Sequence, residues 1–166
     1  MGVADPALAD LARRYVPVLR RNLRHITDFW FPATIDRARG GFALNHDIRG
    51  RFLGPGTKAT VTQARMVWLS ARLARFGYEP EAMLATAEHG HRFLMQRLWD
   101  SEHGGFVWDA DADGNPLRPN RHLYAQAFGL YALSELALAS GRADVLAEAS
   151  SLFELLEAKA KDREHP

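Results

Sequence analysis

The chain has 166 residues, enough for one domain with a real core, and is 47% hydrophobic and 25% charged. Its net charge of +1 offers no electrostatic grip on nucleic acid or membrane, and the absence of cysteine rules out disulfides and thiolate metal sites. Met1 to Asp10 holds two aspartates and no apolar run, so it does not read as a signal peptide, and no apolar stretch approaches the ~18 residues that would span a bilayer.

Asp5-Pro6 starts the first helix, with Asp as N-cap and Pro at the first helical position. Leu8, Leu11, Ala12, Tyr15, Val18 and Leu19 recur at helical spacing, with Arg13, Arg14, Arg20 and Arg21 mostly off that stripe. This helix is expected over 6–29, kinked at Pro17 and ended before Pro32, with the arginines as a solvated face. Gly40-Gly41 opens an extended segment, Phe42 to His46. A turn over Asp47 to Gly50 and a return strand over Arg51 to Leu53 follow. Past Gly54-Pro55-Gly56, Thr57 or Thr60 is expected to cap a second helix over 59–76, stopped by Gly77. Its apolar stripe is Val61, Ala64, Val67/Trp68, Ala71 and Ala74.

Pro80 starts a third, amphipathic helix over 80–99, with Met83/Leu84, Ala87, Gly90, Leu94 and Leu98 on its apolar face. Phe106 to Trp108 reads as a strand, Asp109 to Asn115 as a turn, and Pro116 to Pro119 as a lead into the next helix. The fourth helix, 121–139, has almost no polar face, and a helix apolar all round is expected to be buried all round. Gly141 ends it. The fifth helix, 143–160, turns Val145, Ala149, Leu152/Phe153 and Leu156 inward and its glutamates outward.

A repeat runs through these elements. Asp36 to Phe42 returns as Asp100 to Phe106, with the second glycines 64 residues apart (105 − 41), and Asp162 to Pro166 echoes the start of the same turn. Gln63-Ala64-Arg65-Met66-Val67-Trp68 lines up with Gln126-Ala127-Phe128-Gly129-Leu130-Tyr131, an offset of 63 (126 − 63). The order is outer, inner, outer, inner, outer, with units over 6–76, 80–139 and 143–166 forming one incomplete domain. The expected fold is all-α: an incomplete α/α toroid of about five helices with short hairpins in the outer-to-inner loops. The chain reads as the front part of a longer helical-repeat protein.

In such a toroid the hairpin loops gather at one end with the N-termini of the inner helices, which favour oxygen-rich or anionic ligands. Arg65 stands where its repeat mate is Phe128. An arginine there needs a partner or a water-filled cavity: a sugar or enolate oxygen, or else a glutamate of a neighbouring helix. Tyr124 can donate a hydrogen bond to a ligand or simply pack. Trp68 can stack on a sugar face but lies on the apolar stripe. His46, His103 and His122 fall at the hairpin end without a visible pairing. Asp109 to Gly114 matches the first half of a calcium loop, but Asn120 stands where its bidentate glutamate belongs. His89 and His91, two apart on a helix, do not share a face for zinc. No metal or cofactor is expected.

Phe29-Trp30-Phe31, Asp36, Gly40-Gly41-Phe42, Lys58, Gln63 to Trp68, Gly104-Gly105-Phe106, Tyr124 to Phe128 and Tyr131 to Glu135 resemble, in this order, the N-acylglucosamine 2-epimerase family. That family includes cellobiose 2-epimerases and mannose and sulfoquinovose isomerases. The resemblance implies an (α/α)6 barrel of about twelve helices, of which this sequence holds about five, so the expected fold class is an incomplete (α/α)6 barrel. It implies proton transfer at sugar C2 through an enediolate, returned to C2 by an epimerase or delivered to C1 by an isomerase. The family arginine of the second helix matches Arg65, and the tyrosine of the fourth-helix motif matches Tyr124. The family's two acid–base histidines lie in later helices and have no match here, so little or no activity is expected of this stretch alone. Arg121-His122 stands where a lysine is more usual. The expected substrate is a mono- or disaccharide, with Arg65 catalytic and Tyr124 and Trp68 substrate-binding. A cytoplasmic location, no nucleic-acid or membrane partner, and self-association through exposed surface of the fourth helix complete the expectation.

Two other readings stand beside it. One is a non-catalytic helical-repeat module that binds a protein through its exposed inner-helix face. The other is a glycoside-processing enzyme with Asp109 and Asp111 as paired carboxylates.

Overall fold

The computed structural model describes residues 5–162 and residue 164. Met1 to Ala4, and Arg163, His165 and Pro166 of the third turn echo, lie outside the described residues. The chain divides into two compact units, Met1–Thr34 and Ile35–Pro166.

The first unit is built on α1, Pro6–Trp30. Asp5 caps it as its composition demands, its carboxylate accepting the Ala7 N–H at 2.9 Å, and Pro6 fills the first turn where no N–H is needed. Its apolar stripe, Leu8, Leu11, Tyr15 and Leu19, is exposed.

The second unit holds four helices: α2 (Thr60–Arg75), α3 (Pro80–Phe93), α4 (Leu123–Ser140) and α5 (Ala143–Lys159). Between them lie β1 (Lys58–Ala59), β2 (Asp109–Ala110) and β3 (Pro116–Arg118), an antiparallel sheet in the order β1-β2-β3. α2 packs against α3 and α4, and α4 against α5. Counting the π-helical turn Leu94–Leu98 with α3, every helix end falls within two residues of expectation, because Pro and Gly punctuate the chain locally. α2 ends in a full Schellman motif. Gly77, at φ 79°, donates its N–H to Ala74 O and Tyr78 donates to Leu73 O, both at 3.0 Å. α3 continues through one π-helical turn, Leu94–Leu98, before Trp99 turns extended.

Several expectations need correction. Neither Thr57 nor Thr60 caps α2: its N-cap is Ala59, and the Thr60 hydroxyl instead donates to Val107 O at 2.6 Å, tying the helix start to the next hairpin. The strands expected over 42–46 and 51–53 reduce to single bridges, Ile35 with Phe42 and His46 with Phe52. Asp47 accepts from the Arg49 and Arg51 N–H groups and tightens that turn instead. The strand expected over 106–108 falls later, at β2, and the lead over 116–119 is largely strand β3, which pairs back on β2. α4 is buried on one face only, through Ala125, Gly129, Ala132, Leu133 and Leu136. Leu123, Tyr124, Tyr131 and Leu138 stand exposed, because its neighbours α2, α3 and α5 cover only part of its circumference. Phe153 of α5 is likewise exposed, not buried.

Candidate functional site

The two Gly-Gly-Phe turns have one construction. In the first, Asp36 N–H donates to Gly41 O at 3.0 Å and Gly40 N–H to Asp36 O at 2.9 Å. In the second, Asp100 and Gly105, and Gly104 and Asp100, repeat both bonds at 2.9 Å. A buried glutamine of the following inner helix then grips each turn. Gln63 accepts the Phe42 N–H through Oε1 and donates through Nε2 to Phe42 O, both at 2.8 Å. Gln126 does the same to Phe106, both at 2.7 Å. A Cβ on Gly41 would meet Gln63 Oε1 at 2.6 Å, and one on Gly105 would meet Gln126 Oε1 at 2.9 Å. The glycines are therefore required twice over: for their left-handed backbone, and for room beside the glutamine.

A cation stands five residues before each glutamine. Lys58, almost fully buried, donates to Asp36 Oδ2 at 2.9 Å and to Gly40 O at 2.7 Å, with its ammonium 4.8 Å from the Phe93 ring centroid. Burial works to raise the Asp36 pKa, but hydrogen bonds from Lys58 and the Arg39 N–H, with the Lys58 charge, bring it below the usual carboxylate value. Arg121 is the repeat mate of Lys58, 63 residues on (121 − 58), and is ion-paired with Asp100. The arginine in place of a lysine keeps the same link between turn and inner helix.

These clamps fix the first turns of α2 and α4, where Arg65 and Tyr124 stand. Arg65 is exposed, and its guanidinium lies 5.5 Å from the centroid of Phe128, its own repeat mate. Among the described residues it makes no ion pair, so the glutamate partner weighed from sequence is not what holds it. Glu135 instead takes two other arginines of α2, with Arg75 Nε at 2.6 Å and Arg72 Nη1 at 3.2 Å. Tyr124, 58% exposed, sets its ring edge against Phe128 at 4.9 Å. Trp68 stacks on Tyr131, with centroids 4.7 Å apart and planes 14° from parallel. Phe128 and Tyr131 meet edge-on at 6.4 Å. Arg65, Tyr124 and Trp68 thus share one aromatic run with Phe128 and Tyr131, two residues the sequence did not single out as site residues. Such a surface offers ring faces for the C–H side of a sugar, and a free guanidinium for its oxygens.

Five of the histidines have a local contact. His46 tilts against Phe52 at 5.4 Å, and its buried Nδ1 has no hydrogen-bond partner among the described residues. His103 Nδ1 lies 3.3 Å from Asp100 Oδ2, and His122 sets its ring against Trp108 at 4.7 Å. His89 Nε2 reaches Gly41 O at 2.9 Å, and His91 Nε2 reaches Glu148 Oε2 at 2.6 Å. Neither carboxylate of the paired reading stands free, since each is held by a local partner. Asp109 is buried in an ion pair with Arg118. Asp111 accepts the side-chain and backbone N–H groups of Asn115 at 2.9 Å, and these bonds hold its pKa below the usual value. A general acid needs the opposite shift. The missed contacts, Gln63 and Gln126 above all, had a sequence signal: two glutamines in register with two Gly-Gly-Phe turns.

The family model for N-acylglucosamine 2-epimerase (GlcNAc 2-epimerase) matches residues 40–166. The chain belongs to this family. The cellobiose 2-epimerase of Dictyoglomus turgidum is 31% identical over 139 residues, covering 82% of this chain and 35% of that protein. The human N-acylglucosamine 2-epimerase is 27% identical over 139 residues, covering 81% and 32%. Among solved structures, the cellobiose 2-epimerase of Bacillus thermoamylovorans superposes with a TM-score of 0.84 at 30% identity, over 92% of this chain and 39% of that one. A D-mannose isomerase superposes with a TM-score of 0.81 at 28% identity, over 90% and 37%. The all-α fold is that of an incomplete (α/α)6 barrel, and the chain spans about 35% of the length of the curated relatives it matches. Among the described residues no helix is long and apolar enough to cross a membrane.

Proposed function

We propose that this chain supplies the first part of a carbohydrate 2-epimerase or aldose–ketose isomerase, with Arg65 at the reacting carbons and Tyr124 and Trp68 against the sugar. The observation that supports it best is Arg65: an exposed guanidinium, unpaired among the described residues, laid on Phe128 at the start of an inner helix. In the reaction the open-chain sugar loses its C2 proton to a base and becomes an enediolate. The charge that develops on the C1 and C2 oxygens is what a positioned guanidinium stabilises more strongly than it does the ground state. Reprotonation at C2 from the other face gives the epimer; reprotonation at C1, with the C2 hydroxyl proton passing to the C1 oxygen, gives the ketose. The rings of Trp68, Tyr131 and Phe128 form the wall against which an apolar sugar face would rest. The acid–base groups come from the part of the barrel outside this sequence, and a cytoplasmic location belongs to the same reading.

The test is C2 proton exchange in D2O on cellobiose, mannose, glucose and N-acetylglucosamine. It is run on this chain alone and on this chain joined to the later two-thirds of a cellobiose 2-epimerase. Exchange is expected from the joined protein only, and Arg65→Ala should lower its kcat/KM by roughly 10²–10³-fold. Full activity in the Arg65→Ala protein would reject the assignment.

A further inference from the structure

We infer that Glu135 is a positioning residue of the site: through Arg72 and Arg75 it sets the rotation of α2 against α4, and so holds Trp68 and Arg65 where they stand. Its consequence for catalysis rests on the function proposed above; the packing does not.

α2 and α4 meet along a ladder of repeat mates. Arg65 lies on Phe128 at 5.5 Å, Trp68 on Tyr131 at 4.7 Å and Arg72 on Glu135 at 3.2 Å. Each pair is 63 residues apart (128 − 65, 131 − 68, 135 − 72). Steps of three and four residues keep to one helix face, so the two helices run side by side in the same sense with equal positions opposed. The first two rungs are ring contacts, which tolerate sliding. The buried surface beside them is rich in small residues, Ala64 and Ala71 of α2 and Ala125 and Ala132 of α4, and ridges built of alanine are shallow.

The third rung is directional. Glu135 is 6% exposed and takes Arg75 Nε at 2.6 Å as well as Arg72. Both guanidiniums also lie on Phe76, 4.5 Å away for Arg72 and 5.8 Å for Arg75. A buried carboxylate left without a cation costs far more than a slipped ring contact. Both cations come from α2, three residues apart (75 − 72), so bringing the two to one carboxylate restricts how that helix turns. Arg65 stands one heptad before Arg72 on the same face, about 10 Å along the axis, and a rigid helix carries the rotation that far. An ion pair with a purely structural role would add stability and leave the rungs above it unmoved.

Glu135→Gln keeps the shape and removes the charge. The near-UV circular dichroism of Trp68 in this chain is isolated by subtracting the spectrum of Trp68→Phe, made in each background. The Trp68 signal is expected to be lost in Glu135→Gln with the far-UV spectrum unchanged. It is expected to survive in Glu148→Gln, which breaks the His91 contact between α3 and α5. Arg72→Gln leaves Arg75 on the carboxylate; it carries the same expectation as Glu135→Gln and replaces it if that variant does not fold. In the joined protein of the exchange experiment, Glu135→Gln is expected to lower kcat roughly tenfold or more, but to lower it no further once Arg65 is alanine. A Trp68 signal unchanged in these variants, an equal loss in Glu148→Gln, or kcat losses that simply add would each overturn the inference. Full activity of Arg65→Ala would reject the proposed function instead, and the Trp68 signal would then decide this inference by itself.

Discussion

Gln63 and Gln126 each satisfy both polar groups of a buried phenylalanine backbone, at 2.7–2.8 Å. Truncating either side chain strands a buried N–H and a buried C=O together. Gln126→Ala should therefore cost about 1–3 kcal/mol, read as a lower urea midpoint with an unchanged slope. Asp36 supports a prediction with a definite sign. Its folded pKa lies below the ordinary aspartate value, so its share of stability is complete above that value and is lost as the pH falls through the lower folded one. Asp36→Asn should flatten the acid limb of stability below about pH 4, seen by comparing urea midpoints along a pH series. It should flatten it in part only, since Asp47, Asp111 and Asp144 are lowered as well.

Between helix and turn, the decisive contacts are close approaches that only glycine permits. A Cβ on Gly129 of α4 would come within 2.3 Å of the Phe106 ring, and one on Gly90 of α3 within 2.5 Å of the Phe42 ring. Alanine in a helix gains up to about 1 kcal/mol over glycine, but forcing a methyl against a fully buried ring costs about 1–3. Overpacking should win: Gly129→Ala is expected to lower the thermal midpoint, although the same change in an open helix would raise it. Across α2 and α4, Glu135 is buried while Arg72 and Arg75 are each about a third exposed. Either arginine alone still compensates the carboxylate. Removing both leaves a buried charge, so the double Arg72→Ala, Arg75→Ala variant should lose about 2 kcal/mol more than the singles predict by addition, measurable in a mutant cycle.

Within the second unit, α2 is flanked by α3 and α4, whereas α4 keeps Tyr124, Tyr131 and Leu138 exposed. Amide exchange should accordingly be slowest in the middle of α2, around Ala64 to Ala71, and faster along α4; equal protection in the two helices would contradict this packing order. Helix positions were legible in the sequence because their signals are local: Pro6, Pro80, Gly77 and Gly141 each act on the few residues beside them. The repeat was legible because glycine pairs and glutamines cannot be exchanged for other residues without loss. β1 to β3 were not legible, since strands of two or three residues carry no period and exist only through their pairing. Of the candidate site, Arg65, Tyr124 and Trp68 could be named from motif and register. Their meeting with Phe128 and Tyr131, and the assignment of Glu135 to other arginines, could not, because contacts across α2 and α4 depend on how the two helices rotate about their axes. By itself the sequence determined an all-α repeat, its inner and outer helices and its family, through local punctuation and a fixed offset. The tertiary structure alone decided which faces are covered and which charges pair, because burial belongs to the neighbours a helix has and not to its own composition.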